Sequence, residues 1–393
     1  MRVAVLAEFY PRAHDPVLGV WAHRQARAVR DAGADVSVFV LHRIVPPASA
    51  FSAREFRRLL AQPRHAVLDG VPVTYVRYIS PPRSRAYASW GAWAAPALRR
   101  ALRRAAEHDG AGFDLIHAHN AVPTGDAALR AAPGPPLIVS VHGGDVLWTI
   151  DRVPRGAAVV IRTLRHANLV LANSRGIAEL SRRCGAARTE VLHLGTDVPE
   201  IVPARSLTPL LVTVGHLVAR KRHADVIEAL AMLPPAVRYR IVGDGPERAA
   251  LTALVCARGL GDRVEFTGQL DPAAARSAAG QGWLFVMPST EEAFGVAYIE
   301  AMAAGIPAIG AAGEPGPAEI AAAGAGIELV PARDPGALAR TIMGLLDDPE
   351  RLTALGADAR RTVETEFTWE ACGRRTLDAY RAVISAAGSH THA

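Results

Sequence analysis

Apolar and β-branched residues come in short blocks along this chain, and between the blocks the apolar positions recur at helical spacing. Residues 3–7, 36–41, 71–78, 115–119, 137–142 and 169–173 predict strands, and residues 23–32 predict a helix. A proline-containing stretch around residues 198–209 interrupts the rhythm. It resumes with strands predicted at 211–215, 239–243, 264–267 and 284–287 and a helix at 296–304. Strands alternating with helices predict parallel sheets covered by helices on both faces. Two such blocks predict an α/β protein of two Rossmann-like, parallel-sheet domains facing a central cleft, with boundaries at 1–204 and 205–368. In such sheets ligands sit at the carboxyl ends of the strands. The last residues, GSHTHA, are polar and are expected to be disordered.

A length of 393 residues fits two domains of roughly 200 each. Half of the residues are hydrophobic and 21% are charged, an ordinary globular balance. No apolar run reaches the ~20 residues of a membrane helix. The N-terminus opens on a strand-like segment without a signal-peptide pattern. The three cysteines have neither metal-ligand spacing nor a disulfide framework. Together these features predict a cytoplasmic protein. The net charge of +6 hides an asymmetry. Residues 1–200 hold 26 Arg against 16 acidic residues, and residues 201–393 hold 18 basic against 22 acidic. A basic first half and an acidic second half suggest domains with different partners. Lys221 is the single lysine among 44 basic residues, so a compact ammonium is favoured there over a planar fork.

The segment 288–307, PSTEEAFGVAYIEAMAAGIP, carries the densest chemistry. It places Glu292 just ahead of a helix start and Glu300 about one turn inside. Two carboxylates there can grip a polyhydroxy ligand, while the helix-start amides attract an anion. Sugar hydroxyls plus phosphate are what a nucleotide sugar presents. A solvated acidic helix entry is the plainer reading of the same two residues. The loop after strand 211–215 reads His216-Leu-Val-Ala-Arg220-Lys221-Arg222-His223 and gathers cations at the same sheet edge, suited to a diphosphate. His142, followed by Gly143 and Gly144, ends a strand where a ligand can approach the backbone. His117 and His119 alternate on one strand, so one is expected to pack inward and the other, His119, to face the cleft. Gly19 and Trp21 follow the first strand at a helix start. No G-x-G-x-x-G run and no Asp-x-Asp pair is present, so neither a nicotinamide cofactor nor a metal is expected. Tyr87, Trp90 and Trp93 precede Arg99, Arg100, Arg103 and Arg104, a pattern that either docks on an anionic membrane surface or packs on its own domain. No nucleic-acid recognition module accompanies the charge.

Taken in order, DLIHAHN, VSVHGGD, LANSRG, VLHLGTDV, VGHLVARKRH, IVGDGPER, VEFTGQL, EAFGVAYIEAMAAGIPAIG and FTWE resemble the retaining GT-B glycosyltransferases of family 4 over nearly the whole chain. The resemblance implies that Glu300 holds the ribose hydroxyls of the donor and Glu292 the donor-sugar hydroxyls. It implies that amides around Phe294, Gly295 and Val296 meet the diphosphate, that Lys221 neutralises it, and that His142 lies against the sugar. Gly19 corresponds to a glycine loop closing over the phosphates. Gly243 and Gln269, in two of the matching segments, join the donor side, and His119 and Trp21 the acceptor side. It also implies that the helix after Trp369 crosses back onto the N-terminal domain, making 369–393 a separate segment. His216 stands where the family usually has Arg, so either Arg220 or Arg222 is expected to supply the missing cation or His216 itself to hydrogen-bond there. Only one glycine occupies the first loop where a pair is common.

The resulting expectation is transfer of a sugar from a nucleoside-diphosphate sugar to an acceptor hydroxyl with retained anomeric configuration. A UDP-sugar is favoured and GDP-mannose remains open. Lys221, Glu292 and His142 are the catalytic candidates, and no metal or other cofactor is expected. Lys221→Ala is expected to lower turnover far more than it disturbs folding. The acceptor is expected to be lipid-linked, anionic, sugar-containing or a small metabolite, as in glycan, glycolipid or glycosylated-metabolite biosynthesis. Peripheral contact with the inner face of a membrane is an open expectation, and nucleic acid is not expected as a partner. A nucleotide-sugar epimerase and a non-catalytic sugar-nucleotide-binding protein are the alternatives. The first would form product without an acceptor, and the second would bind donor without turnover.

Overall fold

The computed structural model describes residues 1–46 and 51–390. Its chain divides into two units, Met1–Leu194 with Trp369–Ala393, and Gly195–Thr368. In the first unit the strands are β1 (Arg2–Ala7), β2 (Asp35–Arg43), β3 (His65–Leu68), β4 (Val71–Tyr78), β5 (Leu115–His119), β6 (Leu137–Val141), β7 (Leu169–Ala172) and β8 (Thr189–Val191). They form one sheet in the order β3-β4-β2-β1-β5-β6-β7-β8. All neighbours are parallel except β3 and β4, a hairpin turned by Asp69 and Gly70 with φ of 46° and 77°. Two positive φ values in a two-residue loop match the strand twist, which is why Asp-Gly works there. The second unit contains β9 (Leu210–Val214), β10 (Arg238–Val242), β11 (Val264–Gly268), β12 (Leu284–Val286), β13 (Ala308–Ala311) and β14 (Ile327–Val330). These form an all-parallel sheet in the order β11-β10-β9-β12-β13-β14.

The β-branched residues foreseen as strands line the cores. Val3, Val5, Val36, Val38 and Val40 are buried against Ala22, Ala26 and Val29 of the helix Val20–Asp31 and Tyr380 and Val383 of the helix Trp369–His390. A Cβ on Gly373 would stand 2.3 Å from the Ala28 carbonyl oxygen, so its bare backbone lets those two helices close on each other. Leu211, Ile241, Leu284 and Ile309 form the corresponding core of the second unit.

Several expectations need correction. Residues 195–204 run with the second unit rather than the first, because Thr196 donates its backbone N–H to Phe367 and Arg360 reaches the Pro199 carbonyl. Gly388 to His390 continue the terminal helix instead of fraying, while Thr391 to Ala393 lie outside the described residues. The helix expected from residue 23 begins at Val20. Tyr87 and Trp90 are buried, the former bonding Glu8 at 2.7 Å and the latter the Pro81 carbonyl at 2.9 Å. Of the three aromatics proposed to meet a membrane, Trp93 alone is exposed. None of the three cysteines forms a disulfide. Among the described residues no helix is long and apolar enough to cross a membrane.

Candidate functional site

In each sheet the strand order reverses once, between β1 and β5 and between β9 and β12. Loops leaving adjacent strands in opposite directions open a crevice there, the usual place for a ligand in a doubly wound sheet. In the second unit the two loops are residues 215–222 after β9 and 287–295 after β12. They are tied together, because Thr290 donates its N–H to the Arg220 carbonyl at 2.8 Å. Across this tie Lys221 Nζ donates to Glu292 Oε2 at 2.6 Å and lies 3.4 Å from Met287 Sδ. Ser289 Oγ donates to the same carboxylate oxygen at 3.0 Å, and Arg220 stands 3.6 Å from it. Both members of the Lys221–Glu292 pair are nearly buried, with side chains 11% and 9% exposed. Burial alone pushes the Glu292 carboxyl up, but the charges of Lys221 and Arg220 and the hydrogen bonds from Lys221 and Ser289 outweigh it. The net result is a carboxyl held below its ordinary range.

The loop is fixed from below. Glu292 N–H donates to Glu314 at 3.0 Å, and the Glu292 carbonyl accepts from Gly316 at 2.8 Å. Tyr298 donates to the Met287 carbonyl and lies 3.2 Å from Ser289 Oγ. The helix Val296–Ala303 begins at Gly295, whose φ of 89° is left-handed. Glu292 therefore precedes the helix and Glu300 sits half-buried a turn inside, as the pattern predicted. Arg222 also has a left-handed φ of 57° and is committed to a two-pronged pair with Asp225 at 2.7 and 2.8 Å. That leaves Arg220 as the cation able to stand in for an arginine at position 216, where His216 is exposed. Gly243 is structural: its N–H donates to the Gly268 carbonyl, and a Cβ there would lie 2.0 Å from the Gly215 oxygen. Gln269 is exposed beyond the end of β11.

In the first unit, His119 ends β5 and His142 follows β6. His119 Nδ1 and His142 Nε2 share a proton at 2.9 Å. Trp21, at the start of the helix Val20–Asp31, meets His142 edge-on with ring centroids 6.3 Å apart. Gly19 caps that helix with φ 65°, and a Cβ on it would stand 2.2 Å from the Phe9 carbonyl, so neither the dihedral nor the space admits a side chain. The expectation that His117 and His119 point to opposite faces is wrong. Residues two apart on a strand share a face, and both rings are buried with centroids 4.7 Å apart. His117 is locked by Tyr380 and Ser140, each at 2.7 Å, which makes it a structural histidine. Burial pushes His142 and His117 down to about 4 and about 3, and His119 well below its ordinary value, so all three rings are neutral near pH 7.

Residues that sequence reasoning passed over brace the loops described in each unit. Ser289 lay in the quoted PSTEEAF segment, but a small hydroxyl gives no periodic signal. Asp145, in HGGD, accepts backbone N–H groups from Ala121 and Val122 at 2.8 and 3.2 Å, holding the loop after His119. Burial raises its carboxyl to about 7 against those two bonds. Glu8, buried just past the end of β1, pairs with Arg83 at 2.8 Å; burial raises its carboxyl although Arg83 and Tyr87 oppose the shift.

Comparison with known proteins fits this arrangement. The sequence model of glycosyl transferases group 1 matches residues 198–362, and that of glycosyltransferase family 4 matches residues 18–200. A D-inositol 3-phosphate glycosyltransferase of Catenulispora acidiphila is 30% identical over 320 residues, covering 71% of this chain and 73% of the relative. A sucrose-phosphate synthase from Thermosynechococcus elongatus superposes with a TM-score of 0.78 at 22% identity, over 98% of this chain and 100% of that one. Anabaena HepE, solved with UDP and glucose, gives 0.71 at 22% identity over 97% and 100%. Two parallel-sheet domains, matched in turn by the two halves of one enzyme family, identify this chain as a member of the family 4 glycosyltransferases with the GT-B fold.

Proposed function

We propose that the protein is a retaining, metal-independent hexosyltransferase that takes its sugar from a nucleoside-diphosphate sugar, a UDP-sugar in the first place. The observation that carries this reading is the Lys221–Glu292 pair, with Arg220 beside it, at the strand-order reversal of the second sheet. Lys221 gives one of its three N–H donors to Glu292 and retains others for phosphate oxygens. As the bond from the anomeric carbon to the diphosphate breaks, Lys221, Arg220 and the helix start at Gly295 face the charge that grows on the leaving group. The acceptor oxygen then bonds to the anomeric carbon on the face the diphosphate leaves, and its proton passes to the departing phosphate. This chemistry needs no metal, because cations already stand at the leaving-group position. A structure solved with UDP puts the UDP-sugar first, and GDP-mannose stays in the test because relatives 28–29% identical are named GDP-mannose-dependent.

The acceptor is proposed to be anionic or lipid-linked, reached while the first unit rests on an anionic membrane surface at the cytoplasmic face. A groove of about 890 Å³ between the helix Trp90–Asp109 and the β2–β4–β3 edge supports this, being lined by Arg64, Arg77, Arg100 and Arg104. Among the described residues none of these four has a carboxylate partner.

A panel of UDP-, GDP- and ADP-sugars tests the proposal by thermal unfolding and donor hydrolysis. The right donor at a hundredfold excess over its Kd adds about 2.7 kcal/mol of stability, and it alone is slowly hydrolysed. Stabilisation by none of them, or an epimerised nucleotide sugar formed without acceptor, overturns transfer. Inverted product configuration overturns retention, and loss of turnover in a chelator overturns metal independence.

A further inference from the structure

The two histidines at the β5 and β6 ends form an unusual contact. Their ring planes lie 9° apart with centroids 5.2 Å apart, while Nδ1 of His119 and Nε2 of His142 approach to 2.9 Å. That combination places the rings edge to edge in one plane with a shared proton, not face to face. Their outer nitrogens, Nε2 of His119 and Nδ1 of His142, are buried and without a hydrogen-bond partner among the described residues.

Two neutral rings sharing one proton have coupled tautomers. If His119 carries its proton on Nδ1 and donates, His142 accepts at Nε2 and must carry its own proton on Nδ1. If His142 donates instead, both rings are protonated at Nε2. Either arrangement leaves one unpaired N–H and one unpaired lone pair. An orphaned buried N–H is the rarer and worse tolerated of the two. It therefore belongs on the ring nearer solvent. Neither outer nitrogen itself meets solvent, but His119 is 2% exposed whereas His142 as a residue is half-buried, so the His142 side is the one an incoming oxygen reaches more readily. That favours Nδ1–H on both rings, the reverse of what imidazole prefers in water. Burial keeps both rings uncharged, so the tautomer rather than the charge is the variable.

We propose that His119 is a positioning residue for His142: by donating Nδ1–H to His142 Nε2 it fixes the tautomer in which His142 Nδ1–H is offered to an oxygen of the transferred sugar. The proposal rests on the reading of His142 as a donor-site residue. It assigns His119 an indirect part, in place of the acceptor contact expected from sequence.

Nitrogen-15 NMR of histidine-labelled protein reads the tautomers directly, with His142 assigned by its loss in His142→Gln. Both rings are expected to show protonated Nδ1 and bare Nε2. In His119→Phe the His142 pattern should reverse to Nε2–H, and kcat should fall about tenfold, the worth of one neutral hydrogen bond, with KM less affected. His119→Asn, whose amide N–H can donate from nearly the same place, should restore both the tautomer and most of kcat. Protonated Nε2 on His142 in the wild-type protein overturns the proposal, as does a His142 tautomer indifferent to a folded His119→Phe. Tautomers that behave as expected, with turnover unchanged in His119→Phe and His142→Gln, would instead overturn the reading of His142 as a site residue.

Discussion

Lys221 illustrates how a contact changes the meaning of a residue. From sequence it is a lone lysine in a basic loop, and its removal is expected to affect turnover far more than folding. In the structure its ammonium is bound to Glu292 in a nearly buried pair. Removing one member leaves the other charge uncompensated, which costs on the order of 3–5 kcal/mol in a buried pair; Arg220, 44% exposed and 3.6 Å away, offsets part of this. Lys221→Ala should therefore lower both turnover and thermal stability, whereas Lys221→Met combined with Glu292→Gln should recover most of the stability and none of the turnover. Calorimetry of the three proteins checks this, and an unchanged melting temperature in Lys221→Ala rules the pairing out. The pH dependence has a fixed sign. A carboxyl held below its ordinary value contributes stability that is intact above 4.5 and fades as pH falls through the lower native value, so the gap between wild type and Lys221→Ala should narrow in acid. The partners are 71 positions apart, and only the crossing of two loops at the β9/β12 reversal brings them together. Periodicity carries no such information.

At the scale of elements, legibility followed chemical contrast. β1, β2 and β6 are rich in buried Val and Ile, β5 and β7 are short buried segments carrying Leu with one β-branched residue each, and each was visible as a run. Four strands were missed: β3 is a half-exposed edge strand, β8 has three residues, β13 reads AIGA, small side chains that suit several structures, and β14, IELV, is apolar but only four residues long. The helix start at Gly295 was legible because Phe-Gly breaks the pattern just ahead of an apolar helix. Its strictness was not legible. A Cβ at Gly295 would stand 2.4 Å from the Tyr298 ring, and that ring's hydroxyl holds the Met287 carbonyl beneath the Lys221–Glu292 pair. Gly259 has a similar φ of 66° but open space around it. Gly259→Ala should thus cost about 1–2 kcal/mol from the left-handed backbone alone, and Gly295→Ala distinctly more, with donor-induced stabilisation also lost. Equal melting temperatures for the two variants would show that Tyr298 yields freely and does not brace the loop.

For the molecule as a whole, the uneven charge along the sequence acquires a location. The acids of the first unit are largely spent: Arg2 holds both Asp35 and Asp109 at one end of the groove beneath the helix Trp90–Asp109. Arg64, Arg100 and Arg104 are left exposed without carboxylates, and Trp93 and Ile79, 52% and 61% exposed, lie at the rim of the adjoining hollow. Arg77 differs, because its guanidinium bonds the Leu60 and Gln62 carbonyls and so belongs to the fold. Cations flanked by exposed apolar side chains suit an anionic lipid surface, where each basic residue near the headgroups is worth about 1 kcal/mol. Reversing Arg64, Arg100 and Arg104 to Glu removes at least three such contributions, so binding to phosphatidylglycerol-containing vesicles should weaken by two orders of magnitude or more. Donor-induced thermal stabilisation, which depends on the second unit's loops, should be unchanged. Binding should also fall with added salt, since exposed charges are screened over about 10 Å at 0.1 M, and Trp93→Ala should weaken what salt leaves. Cosedimentation with phosphatidylglycerol and with phosphatidylcholine vesicles decides the matter. Wild-type protein that ignores both, or a triple variant that binds as tightly as wild type, would leave the arginine groove free for an anionic acceptor in solution and remove the membrane from the proposal.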